Sequence, residues 1–329
     1  MVEYDKPWLP IDAQIDLLAS RGIDVGVRND AADFLRTVGY YRLTGYLYPF
    51  RCSERYQDHE GKTRVRLLKD YLPGTSLHHA GQIIDFDRAL RLLVLDGIER
   101  IEVSLRMQLG YVLGEVSPFA HLHASNFVTS FTDPHEDMDT GEETSKHLEW
   151  VRRVDARRKG SDEAFVAHFQ VKYDGQMPIW ALTEILELGH LGRLYRGLNN
   201  SLATPIAHAY GAPSKKVMAS WVASLNYVRN VAAHHARLFN RKLVDAPSRP
   251  PVGVVPVLDH LRDEITAKTI YGLYNSLAVT AYLLRSIDNH SGWPQRLRAL
   301  VRTFPATPAF TIETMGMKPN WEQLDLWRA

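Results

Sequence analysis

Apolar side chains recur at threes and fours through most of this chain, while the alternation of a half-buried strand is scarce, so the pattern predicts a mostly α fold. A short helix starts at Ile11 behind Pro7 and Pro10, carries Ile15, Leu17 and Leu18, and ends near Gly22. A second runs from about Asn29 to Val38. The longest pattern covers 82–113, with Ile83, Phe86, Leu90, Leu93, Ile101, Leu105 and Leu109 recurring. Helical patterns resume at 146–172, 178–197, 214–241 and 258–286, and the proline-rich run DAPSRPPVGVVP (245–256) separates the last two. Residues 52–75 are charged and turn-rich and fit a loop, a small hairpin or a lid. Residues 130–148 are acidic and polar and read as an exposed loop. The tail from 290 to 329 reads as irregular and aromatic, ending in Trp321 and Trp327. Three regions follow: an N-terminal helical and aromatic–basic region (1–75), a helical domain (76–290) and a C-terminal tail packing on the core (291–329).

Composition changes this picture only in part. A chain of 329 residues, 45% of them apolar, can bury a sizeable core. A net charge of +1 gives no global field toward nucleic acid, so any such surface must be a local patch. The one cysteine, Cys52, excludes a disulfide framework within the chain and a multi-cysteine zinc site. The opening MVEYDKPWLPIDAQ lacks a basic stretch followed by an apolar one, and no apolar run approaches the roughly 18 residues of a membrane span. The expectation is a cytoplasmic protein without membrane association.

Candidate chemistry concentrates in Arg229-Asn230-Val231-Ala232-Ala233-His234-His235, followed by Arg237, Asn240 and Arg241. Arginine is a permanent cation shaped for phosphate, and histidine moves protons near neutral pH. At about 100° per residue, a helix over 221–241 gathers Trp221, Leu225, Val228, Ala232, His235 and Phe239 into one apolar stripe. Asn226, Asn230, His234, Arg237 and Arg241 fall opposite. His234 then sits in the polar stripe, and His235 is left as the packing residue. Arg229 stands about 140° from His234 on an ideal helix, so it must reach with its long side chain or stand where the helix is distorted. Ala232, Ala233 and Ala236 leave little bulk around the motif.

RNVAAHHARLFNR (229–241) resembles the signature of the bacterial abortive-infection proteins of the AbiD/AbiF, or Abi-like, group. YDKPWLPIDAQIDLLASRGI (4–23) is similar to that family's opening and GYYRLTGYLYPFR (39–51) to its aromatic block. FDRALRLLVLDGIERIEVSLRMQL (86–109), PIWALTEILELGHLGRLY (178–195) and MGMKPNWEQLDLW (315–327) match further blocks in order. The resemblance implies a HEPN-like helical bundle, a class that includes toxin ribonucleases and in which an arginine followed four to six residues later by a histidine is catalytic. Carried to this chain, it selects Arg229, Asn230 as the polar residue after it, and either His234 or His235. It also implies a homodimer that brings two motifs to one cleft.

RNA holds its own nucleophile, the 2′-OH, beside the scissile phosphate. One histidine can take that proton, a second can protonate the leaving 5′-oxygen, and arginine can stabilise the charge on the phosphoryl oxygens. The leading expectation is a metal-independent endoribonuclease without a cofactor, acting as a phage-defence toxin on an RNA substrate and restrained by an RNA or protein antitoxin. The alternative is an RNA-binding module or a HEPN assembly partner, with Arg229, Arg237 and Arg241 holding RNA uncut. Other residues carry a bland reading beside a sharper one. Glu102 and Arg106 form an i, i+4 pair, with Glu99 on the same face, and could instead orient Arg229 or His234. The block Tyr40, Tyr41, Arg42, Tyr46, Tyr48, Phe50 and Arg51 reads first as core, with Tyr40 and Arg42 as candidate RNA-binding residues. Trp180 reads as a core residue with Glu184 on the helix surface. His78-His79 and His121-x-His123 lack a carboxylate or cysteine at a ligand spacing, so no metal is expected.

Overall fold

The computed structural model describes residues 7–138, 141–263, 266–288, 290–308 and 310–328. Residues 1–6 of the opening block, 139–140 of the acidic segment, 264–265 of the 258–286 pattern, and 289, 309 and 329 lie outside them. The chain is mostly α, as its periodicity predicts, and among the described residues its sheets are two-stranded ladders. It divides into two compact units, residues 1–89 with 303–311, and 90–302 with 312–329. No helix among the described residues is long and apolar enough to cross a membrane.

The first unit holds α1 (Ile11–Ser20), α2 (Arg28–Val38), α3 (Tyr40–Leu47), the hairpin β1 (Arg51–Gln57) and β2 (Thr63–Tyr71), and the start of α4 (Leu77–Val116). The segment that fitted a loop, a hairpin or a lid is an antiparallel hairpin, with Arg55 opposite Val65. Asp58 makes the turn: its carboxylate accepts from the backbone N–H of Glu60 and Lys62 and from Arg64 Nε at 2.8 Å. Those donors hold the Asp58 carboxyl below its ordinary range, Arg64 first. Ile15, Leu18, Leu35, Leu43, Tyr46 and Phe50 are buried together with Phe304 and Phe310 of the returning segment. The Tyr46 hydroxyl donates to the fully buried Asp87 at 2.6 Å, which satisfies a carboxylate that burial alone would penalise.

The second unit is built around the remainder of α4, whose ridge Leu90, Val94, Ile98, Ile101, Leu105, Leu109 and Leu113 is fully buried at helical spacing. It continues through α5 (Thr129–Thr132), a short ladder of β3 (His135–Glu136) and β4 (Glu143–Thr144), α6 (Lys146–Lys159), α7 (Ala164–Tyr173) and α8 (Ile179–Leu182). Then come α9 (Leu188–Gly197), α10 (Asn200–Ala209), α11 (Lys215–Ala233), α12 (Ala267–Tyr271), α13 (Tyr274–Ile287) and α14 (Trp293–Val301). α13 is buried on nearly all sides, as befits a central helix.

Several expected helices prove shorter, because turns interrupt a continuing apolar rhythm. The 146–172 pattern splits at Gly160–Glu163 into α6 and α7, and the 178–197 pattern at Leu186–Glu187 into α8 and α9. The 258–286 pattern becomes a 3-10 turn (Pro256–Arg262), α12 and α13. α10, unread in the sequence, starts at an Asn199 cap whose Oδ1 accepts from Leu202 N–H, and carries Pro205 inside it. The tail is not wholly irregular: α14 lies within it, and Trp321 and Trp327 are buried, the latter donating to Tyr274 Oη at 3.0 Å.

Burial also shapes the acid response. His121 is buried beside His147, and burial, then His147 and His123, pushes its imidazole down to about 4 from 6.5. Between those two values the unfolded chain binds the extra proton and the folded chain does not, so acid favours unfolding. Stability is expected to fall by about 3 kcal/mol as pH drops from about 6.5 to about 4 through this group, at about 1.4 kcal/mol per unit. Urea unfolding of wild type and His121→Asn across that range checks it: the variant's stability should depend less steeply on pH.

Candidate active site

α11 carries the motif and is fixed from three sides. Ser214 caps its start, accepting from Val217 N–H, and Met218, Trp221, Val222, Leu225, Val228 and Ala232 are buried. α9 lies close against it through two glycines: a Cβ at Gly192 would stand 2.9 Å from Val222 Cγ1, and one at Gly189 would stand 3.3 Å from Asn226 Oδ1. From α13, the Ser276 hydroxyl meets the Ser224 hydroxyl at 3.0 Å in the core. The proline-rich segment is tied along α11 by Trp221 Nε1, which donates to the Ser248 carbonyl at 2.8 Å, and by Ser220 Oγ, which accepts from Ser248 N–H.

The expected helix to residue 241 ends instead at Ala233. His234 is the C-cap, and His235 follows in the left-handed region at φ 57°. His235 N–H donates to the Ala232 carbonyl and Ala236 N–H to the Val231 carbonyl, the paired bonds of a Schellman turn whose left-handed position usually holds glycine. Just beyond the turn Leu238 and Phe239 are both fully buried, so the reversed chain runs back onto the core. Turning the chain buries both and costs one residue with a Cβ in a strained conformation, roughly 1–2 kcal/mol. His235→Gly is therefore expected to be about 1 kcal/mol more stable than His235→Ala, since both lack the imidazole and differ in tolerance of positive φ. Urea unfolding of the two variants measures it.

The turn rearranges the expected faces. Of the apolar stripe, Trp221, Leu225, Val228, Ala232 and Phe239 are buried, but His235 is exposed, so it is not the packing residue. His234 is exposed as well. Both imidazoles thus stand at the solvent edge of a helix end. Arg229 Nη1 donates to Asn230 Oδ1 at 3.3 Å, and Asn230 stands one turn before His234, whose N–H donates to the Asn230 carbonyl at 3.0 Å. Arg237 and Arg241 do not continue a helical face. Arg237 lies with its guanidinium 5.9 Å from the Phe239 ring centroid, and its carbonyl accepts from Arg241 Nε at 2.9 Å. Arg241 returns to α11 at Tyr227 Oη, 3.5 Å away. Tyr227 is the residue that sequence reasoning passed over; its place three before Asn230 on the polar side was the available signal.

Glu102, only 7% exposed, accepts from Arg106 Nη2 at 2.7 Å, and Arg106 Nε donates to the Leu186 carbonyl at 3.0 Å, just ahead of α9. The pair thereby pins the start of the helix that packs on α11, while Glu99 is exposed. Tyr40 and Arg42 belong to the first unit, where Arg21 donates to Tyr40 Oη at 3.1 Å and Arg42 lies 5.8 Å from the Tyr46 ring centroid. Of the aromatic block, Tyr46 and Phe50 are core and Tyr41 and Tyr48 are exposed. Trp180 is not a core residue: it is 50% exposed, lying over Gly110 and Gly114 of α4, whose missing Cβ atoms make room for it. Glu184 is exposed. His79 Nε2 lies 2.7 Å from the Pro305 carbonyl oxygen, His121 is buried and His123 is exposed. Among the described residues, no three His, Cys, Asp or Glu side chains gather as a metal would need.

Residues 33–240, most of the chain and including the whole of α11 and its exposed turn, match the family described as Abi-like protein. The chain belongs to the Abi-like protein family. Membership ties it to abortive-infection phage defence. No curated protein and no solved structure matches it.

Proposed function

We propose that this Abi-like protein is a HEPN-type, metal-independent RNA endonuclease that acts as a phage-defence toxin in the cytoplasm, with Arg229, Asn230, His234 and His235 as its catalytic centre. The observation that carries the reading is the strained turn at the end of α11, which holds two imidazoles in solvent beside an Arg229 turned to Asn230. One imidazole accepts the 2′-OH proton, O2′ attacks phosphorus, and the bond to O5′ breaks as a second imidazole gives O5′ its proton. Arg229 neutralises charge on the phosphoryl oxygens. The products are a 2′,3′-cyclic phosphate and a 5′-hydroxyl, with no co-reactant required.

A twofold homodimer supplies the second histidine–arginine set. Val103, Met107 and Tyr111 support this: they stand at i, i+4 and i+8 on α4 and are exposed, Tyr111 to 72%, an apolar stripe suited to a second copy. Met107→Glu/Tyr111→Glu is expected to give a monomer by light scattering and to lose cleavage.

Purified protein incubated with total RNA in chelator tests the whole reading. Cleavage with cyclic-phosphate ends by wild type, absent in His234→Ala, is the expected result. No cleavage favours the RNA-binding module instead, and equal cleavage by both removes His234 from the catalytic centre.

A further inference from the structure

α6 packs on α9, with Trp150 Nε1 donating to the His190 carbonyl at 3.0 Å. This packing gathers Arg153 and Arg157 of α6 with Arg193 and Arg196 of α9. Arg193 is held below its ordinary range, first by burial and then by Arg153, while Glu149 opposes and Arg196 adds to the lowering. The carboxylate of Glu149 also meets His135 Nε2 at 3.0 Å. Among the described residues, none of the four arginines makes an ion pair or a side-chain hydrogen bond. Four crowded cations without their own carboxylates repel one another, and an anionic ligand removes that cost.

Arg196 opens onto a groove of about 680 Å³ at the start of α11, where Lys215 and Lys216 add positive charge and Asp245 the one carboxylate. Lys215 donates to the Leu198 carbonyl, and Lys216 is exposed. The floor is small: Ala219, Ser220 and Ala223. Lys216, Ser220, Ala223, Tyr227 and Asn230 follow at fours and threes, so one face of α11 runs from the groove to the motif. The fourteen helical steps from Lys216 to Asn230 span about 21 Å.

We propose that this strip, from the α6–α9 arginines through the groove to Asn230, is a track for the phosphodiester backbone of single-stranded RNA. It rests on the ribonuclease reading for its end point, the scissile phosphate at Arg229, but not for binding itself. A groove floored by the small side chains of Ala219, Ser220 and Ala223 lets a single backbone lie close to α11, whereas the phosphates of a duplex lie on a wide convex surface.

The test is Arg193→Gln/Arg196→Gln in the full chain, read by fluorescence anisotropy with a 20-nucleotide 2′-O-methyl RNA, which lacks the nucleophile and cannot be cut. Affinity is expected to fall at least tenfold at 0.1 M salt, and the slope of log K against log salt to shrink by about 1.4, about 0.7 for each phosphate that an arginine no longer neutralises. The urea midpoint is expected to stay or rise, because repulsion is relieved. Unchanged affinity and slope overturn the track even if wild type cleaves RNA. A lowered midpoint overturns it too, by making the arginines scaffold, and equal or tighter binding of duplex overturns the single-strand assignment. A changed slope in a protein that never cleaves RNA would remove the ribonuclease reading and leave the track standing.

Discussion

His234→Ala is expected to lower RNA cleavage by about 10²–10⁴-fold, the usual worth of a positioned general acid or base. Arg229→Ala is expected to cost about 10²–10³-fold, as loss of one preorganised donor to transition-state charge does. Arg229→Lys should not rescue it, because a point ammonium cannot reproduce the guanidinium fork. The two losses should not add, since both groups serve one transition state. Counting cyclic-phosphate ends on a defined RNA in chelator measures all four chains, and unfolding curves check that exposed His234 can be removed without loss of fold. If the site is composite, mixing the two inactive alanine variants should restore activity that neither shows alone, because the mixed dimer regains one intact histidine and one intact arginine.

The largest stability effect is expected where α4, α13 and α14 meet. Trp293 is fully buried, and its Nε1 donates to the Leu93 carbonyl at 2.8 Å. It fits only because residue 97 is glycine: a Cβ there would stand 2.5 Å from Trp293 Nε1 and 3.0 Å from Thr280 Cγ2. Trp293→Ala is expected to cost about 3–5 kcal/mol. Gly97→Ala overpacks the same space and is expected to cost about 1–3 kcal/mol. The double variant should cost less than the sum, because the added methyl enters the space the indole vacates, and a double-mutant cycle by urea unfolding reads that coupling. α13, pressed from this side, carries Ser276 against Ser224 of α11, so a shift here should also reach the motif helix.

The fold class was legible because helix periodicity needs only neighbours within a turn or two. The ridge of α4 and the buried face of α11 up to Ala232 follow from it directly. The breaks inside 146–172 and 178–197 were harder, since apolar residues continue in rhythm on both sides of them. The motif was legible as residue types. Its geometry was not: an ideal helix made His235 a core residue, and that conclusion fell with the helix end at Ala233.

By itself, then, the sequence determined a mostly α protein with an arginine–histidine motif near the end of an amphipathic helix, because those properties are local. Tertiary structure decided where that helix stops. The chain turns left-handed at His235, which buries Leu238 and Phe239 beyond it and leaves both histidines exposed. It also decided which cations stand together. Arg153 and Arg193 lie forty residues apart in the chain, and only the packing of α6 on α9 brings their charges into one field.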